Sequence, residues 1–338
     1  MASYSPVSAP RHPFPVPAFE LIDSSEMIEE ETLPTYCAGK YYPAHIGEVL
    51  DNRYQIAAKL GYGVTSTVWL CRDIIQSKYV ALKIYVHGVD NSPEIPVYNR
   101  INSEETDHLG KNFIRKLFNH LYIDGPNGLD ETKAFSTVEK AEIETPSPSK
   151  VIDQNRTIYT SQILLPGNGF PLFSDFGEAR FGNESHDEDI MPNMYRPPEV
   201  VLKMNWDCKV DIWNIAMVAW DTVCRKTLFD GRNSGNIFDD RVHVAEMVAF
   251  LGPPPAEFIK RSRVFSAFWD DNGVWKNLVP IPYITLGSLA SDIEGEDKED
   301  FLLFLRRALK WLPEERPTAR ELLSDKWLMK GLEIPKRV

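Results

Sequence analysis

The chain has 338 residues, of which 43% are hydrophobic and 25% are charged, enough for one large domain or for two lobes with a tail. Its net charge of −12 argues against a direct nucleic-acid surface and suits a basic partner, although simple solubility accounts for the charge equally well. No apolar run reaches the roughly 18 residues of a membrane span, and the four cysteines include no Cys-x-x-Cys pair. Their scatter favours reduced intracellular thiols over disulfides or a zinc site, so we expect a protein of the cytoplasm or the nucleus, not of the membrane.

Residues 1–41 are predicted to form a tail. Five prolines within residues 1–20 indicate a flexible or polyproline-like stretch. The acidic run Ser24–Glu31 is expected to lie in solvent, and order is predicted to begin near Tyr41.

Residues 42–128 are predicted to form a β-rich small lobe. Three short runs, RYQIAAKLG, STVWLCRD and KYVALKIYV, are rich in β-branched and aromatic residues and are separated by turns. They indicate an antiparallel meander of three strands. Ser92 is the predicted N-cap of the helix that follows, and Pro96 is expected to keep that helix short or irregular.

The second half of the chain is predicted to be mainly helical. Residues 129–170 are polar and are predicted to form a spacer, and residues 171–332 to form an α-rich large lobe. Val210–Val223 is apolar around nearly its whole circumference, which is typical of a buried core helix. Thr318 and Glu321 form a capping-box pattern. A β-rich front and an α-rich back predict an α+β protein of two lobes.

A glycine-rich turn lies between the first two long strands. Gly61 and Gly63 would let backbone amides approach phosphate groups, and Val68 could cover an adenine ring. Ser66 stands where a third glycine is usual in such turns. Most Gly-x-Gly turns are simple hairpins, so the turn gains weight only from the lysine that follows it on the next strand, Lys83.

Lys83 lies within an apolar strand, where a lysine is costly unless it is paired. In protein kinases, whose motif order this part of the chain resembles, such a lysine is a cation on the nucleotide phosphates and is held by a glutamate on a helix. Glu94 is the predicted partner because it opens the next helical segment. Glu104 and Glu105 are the alternatives and are expected to be solvated. The competing interpretation is that Lys83 extends its ammonium to the surface.

A third element is the tripeptide Asp175, Phe176 and Gly177. The Asp175 carboxylate suits the hard cation Mg²⁺, Phe176 would pack beneath the helix that bears Glu94, and Gly177 would permit unusual backbone angles. The tripeptide is common by chance, but here RPPEV follows at Arg196–Val200 and KVDIW follows that. This order carries more information than the tripeptide alone.

Over residues 42–330, with a gap, the chain resembles eukaryotic protein kinases of the SR-protein kinase family in their fungal form. The resemblance rests on LGYGVTSTVWL, YVALKIYV, FIRKL, DFGEARFG, YRPPEV, KVDIWNIA, HVAEMVAFLGPPP and KWLPEERPTARELL. It implies a bilobal kinase-like fold and transfer of the ATP γ-phosphate, with Mg²⁺, to serines of Arg/Ser-rich proteins by a monomer. An acidic enzyme suits such basic substrates.

The resemblance also assigns roles to further residues. Leu60 and Ala81 would join the glycine turn in binding the nucleotide. Glu199 would form a buried structural ion pair with Arg316, and Asp211 would cap backbone amides of the catalytic loop.

The chain departs from the family where that catalytic loop should stand. A segment of the form His-Thr-Asp-x-x-x-x-Asn is not found, and Pro126–Gly128 runs directly into Leu129 and the acidic spacer. The hinge strand and the long helix before the loop are skipped as well. The one Asp with an Asn five residues later is Asp107 with Asn112, which precedes FIRKL and is interpreted as coincidence. The large lobe is therefore expected to be incomplete and to leave one face of VDIWNIAMVAW uncovered.

The leading interpretation is a serine/threonine protein kinase by descent whose phosphotransfer is impaired in this chain, either a truncated product or a mispredicted gene. One alternative is a pseudokinase or scaffold that binds ATP or protein partners without phosphotransfer. Another is a non-enzymatic fragment that folds poorly. A small-molecule kinase is less favoured, because RPPEV and the insert before LGPPP are typical of kinases with protein substrates.

Overall fold

The computed structural model describes residues 20–87, 94–115, 117, 130–131, 146–162, 172–182, 184–291 and 293–330. The chain divides into two compact units, unit 1 (Met1–Ala179) and unit 2 (Arg180–Val338). We predicted that the second lobe begins at residue 171, but the division falls after Ala179. The reason is that Asp175 forms an ion pair with Lys83 of the strands, which ties the Asp-Phe-Gly segment to unit 1.

Unit 1 is built on a five-stranded antiparallel sheet with the strands in sequence order. The three long strands form the predicted meander, and their apolar side chains, including Ile56, Trp69 and Leu82, pack into one core. Two register shifts interrupt the pairing of the first two long strands, the second of them at the start of the glycine turn. The strands are β1 (Val49–Leu50), β2 (Tyr54–Tyr62), β3 (Ser66–Asp73), β4 (Lys78–Tyr85) and β5 (Asp130–Glu131).

Helix α1 (Glu94–Ser103) follows the sheet and has ten residues. Pro96 does not limit it, contrary to our expectation, because a proline in the first turn removes an N–H that has no partner within the helix. Ser92 lies outside the described residues, as does the junction at residues 126–129.

The N-terminal segment, which we define as residues 20–41, contradicts the prediction of a solvated acidic run only in its second half: Ser24–Met27 are exposed, whereas Ile28 and Glu30 are buried. Residues 20–22 pair with Ser149 of a small second sheet, β6 (Ser149–Asp153) and β7 (Arg156–Tyr159). Glu30 is buried and forms an ion pair with the equally buried Lys59 of β2. Glu31 accepts hydrogen bonds from the Lys150 ammonium, 3.0 Å away. Glu30 is buried and Glu31 half-buried because two lysines from distant strands face them, which the local sequence does not reveal.

Unit 2 is helical and has its own core, in which Trp213, Trp220 and Phe304 are fully buried. The predicted capping box is present, since Thr318 accepts a hydrogen bond from the Glu321 amide and Glu321 accepts one from the Thr318 amide. No helix among the described residues is both long enough and apolar enough to cross a bilayer. The helices are α2 (Pro198–Val201), α3 (Lys209–Cys224), α4 (Asp240–Leu251), α5 (Ala256–Ile259), α6 (Leu286–Leu289), α7 (Glu296–Ala308) and α8 (Ala319–Leu322).

Helix α3 is the predicted core helix, and six of its side chains are buried: Val210, Ile212, Trp213, Ala216, Met217 and Trp220. One stripe is open: Asp211, Val218 and Thr222 are exposed, and their spacings of seven and four residues place them on one face of the helix. Val218 keeps 52% of its surface accessible among the described residues. The expectation that a missing segment leaves one face of this helix uncovered stays a prediction.

Candidate functional site

A cavity of about 430 Å³ opens in unit 1 between the glycine turn, strand β4 and helix α1. Its volume lies in the range of sites that hold a small molecule or cofactor, about 300–1,000 Å³. Seven residues that the sequence singled out line it together: Gly63, Ser66, Val68, Ala81, Lys83, Glu94 and Asp175.

Two residues predicted to bind the nucleotide do not line this cavity. Leu60 packs against the apolar cluster that contains Ala58 and Leu70. Gly61 pairs with Val68 in the strand ladder. Both residues lie near the end of β2 and belong to the strand, not to the turn. The sequence pattern could not locate the boundary between the strand and the turn.

The Lys83 ammonium is the electrostatic centre of the cavity. It lies 2.5 Å from Glu94 Oε1 and 2.8 Å from Asp175 Oδ1 and donates a hydrogen bond to each. The ring of Tyr85 is centred 5.1 Å from the ammonium. Burial alone would lower the pKa of Lys83, but the hydrogen bonds to Asp175 and Glu94 outweigh it and hold that pKa above its ordinary value. Lys83 is therefore a fixed cation rather than a lysine that reaches into solvent.

The two carboxylates of this cluster differ in environment. Glu94 is buried, and burial raises its pKa despite the opposing charge of Lys83. Hydrogen bonds with Glu94 and Lys83 lower the pKa of Asp175, whose side chain is 77% exposed. Asp175 therefore stays an open anion, whereas Glu94 serves to hold Lys83. Glu104, an alternative partner, instead forms an exposed ion pair with Arg100.

The Asp-Phe-Gly segment is anchored on helix α1. The ring of Phe176 meets the ring of Tyr98 edge-on, with centroids 5.2 Å apart. The unusual backbone belongs to Asp175, at φ +64°, and not to Gly177 as we expected. A Cβ built on Gly177 would lie 3.6 Å from Asp175 Oδ1 and from Glu94 Oε1, an ordinary contact distance.

The residues present fit Mg²⁺ only as part of a nucleotide complex. Mg²⁺ in proteins is often held by one or two carboxylates together with substrate phosphates and water. Asp175 supplies one exposed carboxylate at the cavity. Within the described ranges no cluster of three or more His, Cys, Asp or Glu side chains could hold a metal ion by itself.

The structure brings no general base to this cavity from the described residues. Asp107 and Asn112, the coincidental pair, lie on an exposed stretch around a short 3₁₀ helix (Leu109–Phe113) and do not line the cavity. Asp211 of unit 2 is solvent-accessible, yet nearby protein atoms desolvate it enough to raise its pKa. It makes no hydrogen bond to another described residue through its carboxylate, so the amides that it is predicted to cap are not among them.

The ion pair expected between Glu199 and Arg316 is present in unit 2. Arg316 donates from its two terminal nitrogens to the two oxygens of Glu199, at 2.6 and 2.7 Å. Both side chains are almost fully buried. The pair joins helix α2 to the segment before helix α8.

Several residues of the cavity were missed by the sequence reasoning. Tyr98 stands four residues after Glu94, so the helical period places it on the same face, and this signal could have identified it. Arg115 and Ser174 have no comparable signal, because only the parallel contact of Ile114 with Phe173 brings their segments together. Tyr41 was missed as well, and its contact with the glycine turn is described below.

One cavity thus brings together a paired cation, a glycine turn and an exposed carboxylate. Comparison with known proteins gives the family. The sequence model of the protein kinase domain matches residues 156–328. A serine/threonine protein kinase of Aspergillus fumigatus is 37% identical over 382 positions, which cover 95% of this chain and 96% of the relative. The chain belongs to the protein kinase family.

More distant relatives agree with this assignment. The dual specificity protein kinase CLK2 of Mus musculus is 26% identical and covers 82% of this chain and 64% of its own length. The serine/threonine-protein kinase SKY1 of Saccharomyces cerevisiae is 34% identical over 57% of this chain and 27% of its own length. A crystal structure of a kinase domain superimposes with a TM-score of 0.64 at 20% identity, covering 85% of this chain and 98% of that chain. The predicted α+β, bilobal, protein-kinase-like fold is therefore confirmed.

The alignment with the Aspergillus fumigatus kinase is longer than this chain. It runs over 382 positions, whereas this chain has 338 residues, so at least 44 of those positions have no residue of this chain.

Proposed function

We propose that unit 1 binds ATP together with Mg²⁺, and that the family reaction, transfer of the γ-phosphate to a serine or threonine of a protein, is impaired in this chain. The observation that carries the proposal is the Lys83 ammonium, held between Glu94 and Asp175 at the wall of the cavity. A fixed cation beside an open carboxylate matches a phosphate chain with its metal ion.

Each residue has a defined part in this proposal. Lys83 would donate to phosphate oxygens, and Glu94 would keep its ammonium in place from the buried side. Asp175 would turn its exposed carboxylate from Lys83 toward Mg²⁺, which supplies positive charge against the phosphates. Val68 and Ala81 offer apolar surface for the base, since both line the cavity on neighbouring strands.

The impairment is inferred from the absence of a positioned base. The sequence contains no His-x-Asp loop followed by an asparagine, and the at least 44 unmatched positions leave room for such a segment in the relative. Loss of a general base lowers a rate by about 10²–10⁴-fold. Without the loop asparagine, Mg²⁺ would also have one ligand fewer.

We further propose that the substrates are basic, Arg/Ser-rich proteins, and that the chain acts as a monomer in the cytoplasm or nucleus. Two observations support the substrate class: the resemblance to SR-protein kinases and the net charge of −12. Opposite charge on enzyme and substrate speeds encounter and favours the correct partner.

The test has two readouts on the purified full chain. ATP with Mg²⁺ should raise the melting temperature, because a ligand that binds only the folded state stabilises it. Lys83→Ala should lose that increase, whereas Lys78→Ala, at the far end of the same strand and outside the cavity, should keep it. No increase in the unaltered chain would overturn the proposal of nucleotide binding and favour a non-functional fragment.

The second readout is transfer of radiolabelled γ-phosphate to an Arg/Ser-rich peptide, with the Aspergillus fumigatus relative as the reference enzyme. We expect a rate lower by at least 100-fold, in line with a missing base. A rate within ten-fold of the reference, abolished by Lys83→Ala, would refute the impairment.

A second candidate is an ATP-binding pseudokinase or scaffold with no phosphotransfer at all. It is favoured by the combination of a complete Lys83, Glu94 and Asp175 cluster with the missing base. A clear ATP-induced rise in melting temperature with no transfer after long incubation at high enzyme concentration would select it over a slow kinase.

A further inference from the structure

The N-terminal segment reaches the glycine turn through a single side chain. The hydroxyl of Tyr41 lies 3.1 Å from the carbonyl oxygen of Gly63 and 3.3 Å from that of Val64, and donates to both. Tyr41 is 4% exposed, so this contact is a built part of unit 1 and not a surface encounter. Burial raises the pKa of the Tyr41 hydroxyl, which keeps it protonated as a donor.

The two carbonyls belong to successive peptide groups of the turn. A peptide group is planar and trans, so fixing its carbonyl oxygen on one side directs its N–H to the opposite side. No peptide bond of the described chain is cis. Tyr41 therefore sets the direction of the N–H groups of Val64 and Thr65, the residues that follow each bound carbonyl.

The N–H groups of Val64 and Thr65 are the amides of this turn that are available to a ligand. The Gly63 amide already donates to the Ser66 carbonyl at 2.7 Å. Neither the Val64 amide nor the Thr65 amide donates to another described residue, and both residues line the cavity. The turn thus presents two oriented amides at the place where phosphate groups would lie.

Both the backbone and the ring of Tyr41 are held in place by neighbouring residues. Its carbonyl accepts a hydrogen bond from the Arg156 guanidinium of β7, and its ring packs on Tyr36 with centroids 5.3 Å apart. Earlier in the N-terminal segment, Glu30 forms a buried ion pair with Lys59. Lys59 lies near the end of β2 that leads into the glycine turn. The hydroxyl consequently has a defined position from which to hold the turn.

We infer that Tyr41 is a positioning residue for the phosphate-binding turn, which makes the N-terminal segment part of the nucleotide site. The inference rests on the proposed function for its ligand, the phosphate chain of ATP. Tyr41 would act through the amides of Val64 and Thr65 and would touch no substrate atom itself.

The variant Tyr41→Phe tests this inference, because it keeps the ring and removes only the donor. The matched control is Tyr36→Phe: the Tyr36 hydroxyl lies near Arg156 but is buried without a hydrogen bond of normal geometry. In the nucleotide-free full chain, hydrogen exchange of peptides spanning residues 61–67 should be faster in Tyr41→Phe and unchanged in Tyr36→Phe. Equal exchange in Tyr41→Phe and the unaltered chain would show that the Tyr41 hydroxyl does not restrain the glycine turn, whether or not ATP binds, and would overturn the inference.

Calorimetric titration with ATP and Mg²⁺, and separately with adenosine, gives the readout for positioning. Tyr41→Phe should weaken ATP binding about five-fold, the equivalent of about 1 kcal/mol for one net hydrogen bond, and leave adenosine binding unchanged. Equal weakening of both ligands would indicate a merely structural role, and unchanged ATP binding would refute the positioning role. If the unaltered chain binds no ATP, the proposed function fails. The exchange measurement still decides whether the Tyr41 hydroxyl restrains the glycine turn.

Discussion

Among the described residues, the fully buried lysine, arginine and carboxylate side chains are paired, and the pairing determines what each can do. Arg316 shows the most complete case: besides Glu199 it donates to the carbonyls of Lys310 and Lys209, and its guanidinium lies 5.2 Å from the ring centre of Trp213. Every polar edge of this buried cation is therefore satisfied. Lys83 differs because one of its two carboxylates is open to solvent, which leaves it able to exchange a partner for a ligand.

The Glu199–Arg316 pair gives a prediction at this scale. Glu199→Gln leaves the buried Arg316 without its counter-charge, and breaking a buried pair in this way costs about 3–5 kcal/mol. The free energy of unfolding, measured with urea, should fall by that order. The control is Glu314→Gln, which breaks the exposed pair with Arg261 and should cost about 0–1 kcal/mol. Similar losses in the two variants would show that burial does not increase the contribution of the Glu199–Arg316 pair to the free energy of unfolding.

Among the elements, the N-terminal segment shows how far tertiary contacts can reverse a local pattern. Its acidic run has no apolar period and was predicted to be solvated, yet Glu30 and Glu31 meet Lys59 and Lys150, which stand 29 and 119 residues further along the chain. Residues this far apart carry no shared periodic signal. Two buried lysines, one from each sheet, and the backbone pairing with Ser149 hold this segment in place.

Helix α4 carries an acid whose charge opposes folding. Burial raises the pKa of Glu246 to about 7, partly offset by the hydrogen bond that Glu246 accepts from the Gly231 amide. The folded chain therefore holds this proton more tightly than the unfolded chain. Between about pH 4.5 and pH 7 the free energy of unfolding should fall as pH rises, and the loss is complete above pH 7.

The variant Glu246→Gln tests this pH dependence, because glutamine keeps an acceptor for the Gly231 amide and cannot ionise. From pH 5 to pH 8 its stability relative to the unaltered chain should increase by about 1 kcal/mol, a figure reduced for partial solvent screening. Urea unfolding at a series of pH values measures the difference. Glu257→Gln on α5, an exposed position, serves as the control. A difference independent of pH would contradict the assigned titration.

At the scale of the whole molecule, the chain combines the cluster of Lys83, Glu94 and Asp175 with a sequence in which no catalytic-loop motif is found. The Aspergillus fumigatus kinase aligns over 96% of its length, yet at least 44 of the 382 aligned positions are absent here, since this chain has only 338 residues. Helix α3 leaves Asp211 and Val218 exposed among the described residues. Both observations agree with the hypothesis that a segment between Gly128 and Leu129 is missing.

Restoring that segment gives the whole-molecule prediction. A chimera in which a hinge, a long helix and a catalytic loop from an active protein kinase are inserted between Gly128 and Leu129 should gain phosphotransfer by at least 100-fold, because it regains a positioned base. The same insertion in a Lys83→Ala chain should remain inactive. A folded chimera that binds ATP but shows no gain would refute the missing segment as the cause. Sequencing the transcript across these two codons decides whether the junction is real or an error of the gene prediction.

The sequence alone was sufficient for the family, the three-stranded meander, the core helix and the capping box, because each of these depends on local period or on motif order. It also indicated Lys83, Glu94 and Asp175, since their roles follow from their order along the chain. The tertiary structure alone decided that Tyr41 contacts the glycine turn, that Glu30 of the acidic run is buried against Lys59, and that Asp175 and not Gly177 has the left-handed backbone. These features depend on which distant groups meet, and a single hydrogen bond or buried charge pair leaves no repeating pattern in the sequence.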